Sequence, residues 1–291
     1  MDLRKLRLFL AVVDHGSMTR AAEAEFVAQP SVSQAIRELE VELGTPLFHR
    51  VGRRVVLTPA GEALVGPARQ TLRDVETGRA AVEAVAGLGA GRLDLGALPT
   101  LAIDPLAPMV GAFRHEHPRV TVALADPTDA DALEDLVVTG ACELGLGVRQ
   151  ATTPTLVSRQ LATQDLLAVL PPGTPPPSRS LALSALARYP LVTAPRGTAT
   201  RGQLEDAFAE AGLTPQIAVE TSQREAILPL VLAGAGATLY PRALADQAAA
   251  LGATVAPLRP RLTRPVFLFH RNGPLSPAAD AFLTLAVDHP G

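Results

Sequence analysis

The chain has 291 residues, a formal net charge of −3 and a hydrophobic content of 47%. This length allows two or three domains, and the hydrophobic content is sufficient for their cores. No segment approaches the length of a membrane span, and the apolar run behind the charged amino terminus is too short for a secretion signal, so we expect a soluble, cytoplasmic protein without a membrane partner.

The amino terminus has the pattern of two short helices that pack closely. Apolar residues at three- and four-residue steps indicate one face of a first helix, and Gly16 can supply the left-handed residue that ends it. The residues of this face are Leu3, Leu6, Leu10 and Val13. Three small side chains, Ala21, Ala22 and Ala24, mark the next helix, and such side chains let a neighbouring helix approach as a helix-turn-helix requires.

A third helix is predicted to begin at Gln29-Pro30, because proline is tolerated in a first turn, and to end at Gly44. Its apolar stripe consists of Val32, Ile36, Leu39 and Leu43. The side chains near its start are short, amide-bearing or cationic, which suits contacts to base edges and phosphates. The candidate DNA-binding residues here are Gln29, Pro30, Ser31, Ser33, Gln34 and Arg37. The alternative is an ordinary solvated helix face.

A basic hairpin after this helix favours DNA binding. The extended runs at 48–50 and 55–57 flank a turn at Gly52, and no acidic residue occurs between Glu42 and Glu62. The candidate phosphate contacts of this wing are Arg50, Arg53 and Arg54. Residues 1–66 contain eight basic and eight acidic side chains, so affinity for phosphates must come from their placement rather than from bulk charge.

These residues resemble the amino-terminal domain of LysR-type transcriptional regulators. The resemblance lies in AAE at 21–23, AQPSVSQAIRELE at 28–40 and LGTPLFHR at 43–50. It implies that residues 1–58 form a winged helix-turn-helix domain that binds double-stranded DNA. Ala28 stands where the family commonly has a capping serine, so the third helix lacks a cap worth about 1 kcal/mol.

Thr58-Pro59 signals the start of a fourth helix, expected to run to about Ala86 within a linker of residues 59–88. Its apolar stripe is too long and narrow for the DNA-binding domain alone to cover, so a partner helix is the expected cover. The resemblance implies a dimerisation helix, which sets two recognition helices roughly 34 Å, or a multiple of it, apart. The candidate dimerisation residues are Leu64, Leu72, Val75 and Val82. A helix buried within its own chain is the alternative.

The glycine-rich run at 87–91 follows a helix and precedes a strand, the reverse of a dinucleotide-binding context, and is interpreted as a hinge. Beyond it, alternating strands and helices predict an α/β domain with mostly parallel sheets over residues 89–291. The predicted strands are 93–98, 120–125, 144–148, 166–170, 191–193, 217–220, 237–240 and 266–270. The predicted helices run from the first strand through Phe113, over 133–138, near 201–211, through Val231 and after Ser276.

This second region resembles the effector domain of the same family. The matching motifs are HPRV at 117–120, GACELGL at 140–146 and AGAGA at 233–237. They imply two α/β subdomains like those of type 2 periplasmic binding proteins. The first would comprise about 92–162 and 265–291 and the second about 163–264, with a ligand cleft between them.

Loops that follow strands are the expected ligand contacts, because helix amino termini there present free backbone donors. The candidate effector-binding residues are Thr100, Leu101, Thr128, Arg196 and Thr198. Since the family often senses small acids, these groups suit a carboxylate. Each threonine could instead simply cap a helix, which is a common role of threonine.

The sequence shows no arrangement of catalytic residues, no cofactor motif and no metal-ligand spacing. Cys142, the single cysteine, is expected to be a buried inert thiol. We therefore expect a homodimeric or homotetrameric regulator that binds an interrupted palindrome near a promoter, responds to a small effector and contacts RNA polymerase. One alternative is a ligand-independent regulator whose carboxy-terminal domain serves only assembly or polymerase contact. The other is an enzyme or transport-type binding protein, which the missing catalytic residues and secretion signal disfavour.

Overall fold

The computed structural model describes residues 1–51, 54–85, 91–175 and 179–288. The amino-terminal unit consists of α1 (Leu3–His15), α2 (Met18–Ala24), α3 (Gln29–Leu43), β1 (Phe48–Val51), β2 (Arg54–Leu57) and α4 (Pro59–Val85). Helices α1 and α3 end at glycines with left-handed backbones, Gly16 at φ 63° and Gly44 at φ 70°, as the sequence predicted. No helix in these four ranges is long and apolar enough to cross a membrane.

The core of the amino-terminal unit joins the three short helices to the wing. Phe9, Val32 and Leu39 are fully buried in it, and β1 pairs with β2 in antiparallel register with Val51 opposite Arg54. Thr58 precedes α4, and its Oγ1 accepts a hydrogen bond from the Gly61 N–H at 3.0 Å. The predicted helix start at Thr58-Pro59 is therefore present.

Helix α4 is covered by its own chain over its first half. Ala68 is 1% exposed, and Leu64 and Leu72 pack half-buried against the core of the amino-terminal unit. Val82, towards the end of α4, is 70% exposed. Over this first half α1 packs against α4 within the chain, and the contact of the stripe with a partner helix stays a prediction.

The rest of the chain is an α/β region. Its strands are β3 (Gly91–Ala97), β4 (Val120–Ala125), β5 (Leu144–Gly147), β6 (Leu156–Leu170), β7 (Leu181–Ala182), β8 (Pro190–Thr193), β9 (Gln216–Glu220), β10 (Thr238–Pro241) and β11 (Thr254–Arg271). Its α-helices are α5 (Pro99–Leu101), α6 (Ala107–Glu116), α7 (Ala130–Val138), α8 (Leu183–Leu186), α9 (Ala199–Glu210), α10 (Ile227–Leu232), α11 (Arg242–Ala250) and α12 (Pro277–Asp288).

The sheets of this region are mixed rather than mostly parallel. Strand β3 pairs in parallel with β4 and β5, and β8 pairs in parallel with β9. Strand β11 is antiparallel to β5 and β6, and β10 is antiparallel to β6. The path of hydrogen-bonded strands is β10-β6-β11-β5-β3-β4. Apolar periodicity predicts strands but not their directions, which explains the difference.

Two strands, β6 and β11, run through both halves of this region. One hydrophobic core draws on residues 93–146 and 266–286, and we call the part around it the first lobe. Two further clusters draw on residues 167–258 and form the second lobe. Both strands are far longer than the predicted 166–170 and 266–270, because polar side chains interrupt their apolar pattern where they cross between the lobes. Gln164 lies opposite Arg264 at that crossing.

The helix predicted from the first strand through Phe113 is interrupted. Asp104 has an extended backbone, with φ −148° and ψ 119°, between the short α5 and the longer α6. Proline disfavours helical geometry in the residue before it, and Pro105 follows directly. The break places Thr100 and Asp104 beside the crossing strands instead of along one continuous helix.

Candidate DNA interface and ligand cleft

Helix α3 presents the predicted reading face to solvent. Gln29, Gln34 and Arg37 are exposed, as is Pro30, while Val32 and Ile36 point into the core. The two candidate serines of this face, at positions 31 and 33, are half-buried. Ala28 makes no side-chain cap, Pro30 has no N–H and the Ser31 N–H donates to the Ala28 carbonyl at 2.9 Å, so the Gln29 N–H is the backbone donor of this first turn that a DNA phosphate can accept from.

Hydrogen bonds within α3 orient these side chains before any DNA is bound. Gln29 Nε2 donates to Ser33 Oγ at 2.7 Å. Gln34 Nε2 donates to Glu38 Oε1 at 2.9 Å, and Gln34 Oε1 accepts from Arg37 Nη2 at 3.1 Å. A bidentate contact from Gln34 to a base must replace both of its bonds, which frees Arg37 at the same time.

The acidic side chains near this face are engaged with the only lysine of the chain. Lys5 Nζ lies 2.5 Å from Glu42 Oε1 and 3.2 Å from Glu38 Oε2. The hydrogen bond from Lys5, together with the amino terminus, lowers the pKa of Glu42 to about 2. Glu40 instead accepts the Leu47 N–H at 2.8 Å and ties α3 to the wing. Internal pairing therefore reduces the repulsion that these carboxylates exert on phosphates.

Arg4 is a basic residue of this face that the sequence reading did not single out. It lines a surface groove together with Pro30, Gln34 and Arg37. No local pattern at the start of α1 indicates this, because the packing of α1 on α3 brings Arg4 there. For the wing, the backbone of Arg50 and Arg54 lies in the hairpin, whereas Arg53 and the side chains of all three arginines lie outside the described residues.

A cavity of about 480 Å³ lies between the two lobes. The carboxyl ends of β3, β4, β8 and β9 surround it, as expected for ligand sites of α/β sheets. Its polar lining residues are Thr100, Asp126, Thr200, Ser222, Arg224, Glu225, Tyr240 and Gln247. Apolar side chains such as Ile103, Leu124 and Leu244 complete the walls. We call this space the interlobe cleft.

Thr100, which lines the cleft, is bonded to a buried arginine. Arg264 is 4% exposed, and its Nη1 donates to Thr100 Oγ1 at 2.9 Å. Its Nε and Nη2 donate to Gln164 Oε1 at 2.9 and 2.8 Å. Gln164 Nε2 in turn donates to Asp104 Oδ2 at 2.8 Å. Burial lowers the pKa of Arg264 to about 10, so the guanidinium stays charged at neutral pH.

A second arginine joins the lobes at the rim of the cleft. Arg224 of the second lobe lies 3.1 Å from Asp126 Oδ1 of the first, and its Nη2 donates to the Thr128 carbonyl at 3.2 Å. The contact is partly solvated, since the Arg224 side chain is 24% exposed and that of Asp126 77%. A ligand carboxylate in the cleft could replace Asp126 as the partner of Arg224 at little cost.

The structure separates the other candidate effector residues from the cleft. Leu101 is fully buried in the first-lobe core and its N–H donates to the Leu98 carbonyl at 2.8 Å, so the expected free amide is absent. Thr198 caps α9 and donates to the Pro195 carbonyl at 2.7 Å. It lines a different cavity, which Arg264 also lines.

The remaining two candidates lie at the surface. Arg196 is 79% exposed and pairs with Glu205 at 3.3 Å. The Thr128 hydroxyl is bonded to Asp129, at 3.1 Å, rather than directed into the cleft. Within the described residues, Thr100 is the one predicted effector residue that lines the interlobe cleft.

Several cleft residues were not predicted. Thr200 lies in the first turn of α9, and Ser222 follows β9. Tyr240 was not predicted as a site residue, and burial raises the pKa of its phenol to about 12. No local sequence pattern indicates that Arg264 contacts Thr100, because these two residues are far apart in the chain.

Redox or metal chemistry finds little support here. Cys142 is buried as predicted, and burial raises the pKa of its thiol to about 11, so the reactive thiolate is scarce at neutral pH. Within the described ranges, no group of three or more His, Cys, Asp or Glu side chains could hold a metal ion.

Comparisons with known proteins match both units of the chain. A family model described as a bacterial regulatory helix-turn-helix protein of the lysR family matches residues 3–62, and one described as the LysR substrate binding domain matches residues 86–291. The nitrogen assimilation regulatory protein Nac of Klebsiella aerogenes is 32% identical over 247 residues, which cover 84% of this chain and 80% of that protein.

Solved structures match the arrangement of the whole chain. Full-length CbnR, in complex with its target DNA, is 25% identical with a TM-score of 0.66 over 98% of both chains. A full-length OxyR variant from Pseudomonas aeruginosa has a TM-score of 0.78 at 24% identity, over 98% of this chain and 93% of that one, a likeness of fold alone.

Proposed function

Because the chain belongs to the LysR family of bacterial transcriptional regulators, we propose that it binds an interrupted palindrome near a promoter as a homodimer or homotetramer. We propose further that a small carboxylate-bearing effector in the interlobe cleft alters this binding. The observation that carries the proposal is the combination, in one chain, of an exposed reading helix with a cleft whose hydroxyl is backed by a buried arginine.

The reading face supports sequence-specific binding. Gln34 and Arg37 have the side chains that best discriminate bases in the major groove, adenine for glutamine and guanine for arginine. Arg4 and the uncapped first turn of α3 offer phosphate contacts that place the helix in the groove. Engagement of Glu38 and Glu42 by Lys5 explains how a unit of zero net charge can approach DNA.

The second half of α4 supports self-association. Val82 is largely exposed there, and Val75 is half-buried. Pairing of two such helices about a two-fold axis would cover this stretch and would set two α3 helices on successive half-sites. Leu64 and Leu72 are already packed within the chain, so we assign the contact to the part of α4 beyond them.

The cleft chemistry supports an anionic effector. Because Thr100 Oγ1 accepts from Arg264 with one lone pair, its hydroxyl proton remains available for donation to an acceptor atom of the ligand. No described carboxylate pairs with Arg264, and Arg224 adds a second cation at the rim. A carboxylate satisfies both demands, whereas an amine or an alkyl group does not.

A ligand-independent regulator is the weaker alternative. An apolar, closed cleft would favour it, but the cleft of this chain has three hydroxyl-bearing side chains besides Tyr240. RNA polymerase remains a proposed partner, without assigned contact residues. We place this function in the cytoplasm, where bacterial DNA lies.

Selection of bound duplexes from a random pool with the full-length protein tests the DNA proposal. Inverted half-sites whose centres are one or more helical turns apart are expected. Gln34→Ala should reduce discrimination against mismatched sites by about 1–3 kcal/mol, with a smaller effect on random DNA. Single, non-repeated sites would contradict the palindrome, and equal losses on specific and random DNA would remove Gln34 from base recognition.

Thermal unfolding with matched ligand pairs tests the effector proposal. A panel of small carboxylates is compared with the corresponding uncharged amides at constant ionic strength. At least one carboxylate is expected to raise the unfolding temperature in a saturable way, and Arg224→Gln should weaken that response. If amides act as well as acids, or if no acid acts, the carboxylate effector is wrong.

A further inference from the structure

A second cavity, of about 580 Å³, lies between α4 and the first lobe. One wall is formed by residues of α4 between Glu62 and Thr77. The other wall consists of the end of α7, the turn after it and the loop that follows β11. This cavity is separate from the interlobe cleft and shares no lining residue with it.

Two arginines that line this cavity each have a guanidinium nitrogen without a hydrogen-bond partner among the residues that the structure describes. Arg73 Nε and Arg271 Nη1 are fully buried nitrogens without a hydrogen-bond acceptor. A buried donor that is left unsatisfied costs about 1–3 kcal/mol, and more when it is charged. Each of these groups therefore lacks the acceptor that a folded chain ordinarily supplies.

The two guanidinium groups converge on one point, above Gly140. A Cβ atom built on Gly140 would collide with Arg73 Nη2 and with Arg271 Nη1. Gly140 also has a left-handed backbone, at φ 74°, which a side chain would strain. Burial lowers the pKa of Arg73 to about 10, and the charge of Arg271 adds to this lowering while Glu143 and Asp94 oppose it.

The acidic side chains around the cavity do not neutralise this pair by direct contact. Glu143 Oε2 accepts from Ser276 Oγ at 2.8 Å and its Oε1 from the Ser276 N–H at 3.2 Å. Asp74 accepts from Gln70 Nε2 at 2.5 Å, and neither carboxylate forms an ion pair with the described arginines. Glu143 and Asp74 act on the two cations only at longer range, and Glu62 lines the outer part of the cavity.

We propose that this cavity binds a compact oxyanion of the phosphate class, clamped between Arg73 and Arg271. The planar guanidinium presents paired N–H donors that match phosphate oxygens, and two such groups converging from opposite walls suit one small anion. The absence of a side chain at Gly140 leaves the space in which the two guanidinium groups lie close to each other. The size of the cavity also admits a small phosphate monoester.

An anion at this position would connect the two units of the regulator. Arg73 belongs to the helix that follows the DNA-reading wing, and Arg271 ends the strand that crosses between the lobes. Binding would stabilise the arrangement in which these two arginines face each other. By linkage, any DNA complex that favours this arrangement would bind the anion more tightly, and the reverse.

The test is thermal unfolding of the full-length protein, free of DNA and in phosphate-free buffer, with inorganic phosphate and separately with glycerol phosphate as the probe. Sodium chloride of equal ionic strength is the reference. We expect a saturable rise of the unfolding temperature at millimolar probe, with the apparent Kd raised at least ten-fold in Arg73→Gln and in Arg271→Gln. A response to glycerol phosphate stronger than that to phosphate identifies a phosphate ester as the ligand, and the opposite order identifies the free ion.

Arg79→Gln is the matched control, since Arg79 lies on the same helix, is 68% exposed and pairs with Glu76. It should respond like the wild type. Arg271→Lys keeps the charge but loses the paired N–H donors of the guanidinium, so an intermediate Kd is expected. Its folding should be better preserved than that of Arg271→Gln. A wild type that phosphate does not stabilise beyond salt, or variants with unchanged Kd, would overturn the proposal. So would a change of oligomeric state in both glutamine variants without any phosphate response, because a second copy would then supply the acceptor.

Discussion

Replacing Thr100 by valine removes one hydroxyl and keeps the side-chain volume. In the native protein this hydroxyl accepts from Nη1 of Arg264, which is 4% exposed. The remaining acceptors of that guanidinium are Gln164 Oε1, which takes two of its donors, and Gln203 Oε1 at 3.5 Å. Nη1 would therefore be left with a long and weak contact.

The loss can be estimated from the chemistry of this contact. A hydrogen bond to a charged group contributes about 1.5–3 kcal/mol, so unliganded Thr100→Val should be less stable by that amount. For a region of this size, the unfolding temperature should fall by roughly 3–12 °C. If Thr100 also donates to the effector, an equal loss in binding corresponds to an affinity roughly 10–150-fold lower. Specific DNA binding without effector should change little, because α3 lies in the other unit.

Thr100→Ser is the matched control, because it keeps the hydroxyl and loses a methyl group. It should recover most of the stability and most of the affinity. Scanning calorimetry of both variants, calorimetric titration of the carboxylate found active on the wild type, and fluorescence anisotropy with operator DNA provide the three measurements. An unchanged unfolding temperature in Thr100→Val would refute the dependence of Arg264 on Thr100. A destabilised variant with wild-type affinity would keep that dependence but remove Thr100 from the ligand contacts.

Three further predictions concern the other surfaces. Replacing Arg53 and Arg54 together by alanine should weaken binding to all DNA alike and reduce the slope of log affinity against log salt by about one unit per lost contact, and an unchanged slope would take the wing out of the interface. Val82→Glu should dissociate the oligomer, as measured by light scattering, while the monomer stays folded. Leu72→Glu should instead lower the stability of the amino-terminal unit itself. An intact oligomer with Val82→Glu would contradict the proposed contact. Asp126→Asn should free Arg224 and tighten carboxylate binding by roughly two- to five-fold, as expected for a solvated ion pair, and weaker binding would show that the pair holds the cleft in its competent form.

The DNA-reading unit is the part that local sequence patterns describe well. The starts and ends of α1 and α3 depend on Gly16, Pro30 and Gly44, whose backbone preferences act within a few residues. The inward stripe of α3 follows from helical periodicity, and the opposite face is then exposed whatever else the chain does. These patterns did not predict that Arg4 lies beside the exposed face of α3, because its position depends on how α1 crosses α3.

The candidate cleft depended on contacts that no local pattern encodes. Thr100 and Thr198 both follow strands and both resemble helix caps in the sequence, yet the first faces the cleft and the second caps α9 away from it. The two threonines differ in their position relative to the helix start: Leu98 is the N-cap of α5 and Thr100 lies inside that helix, whereas Thr198 is itself the N-cap of α9. Arg224 and Arg264 became site residues through partners about a hundred positions away in the chain.

The family, the winged helix-turn-helix, the start of α4 and the α/β character of the rest could be predicted from the residues alone, because these follow from short-range periodicity, turn residues and a long ungapped motif. The part of α4 that its own chain covers, the strand directions that make the sheet mixed and the polar groups that share a cavity depend on contacts between residues far apart in the chain. Burial, strand pairing and the meeting of Arg73 with Arg271 are long-range properties, and their energies depend on the solvent that the rest of the fold excludes.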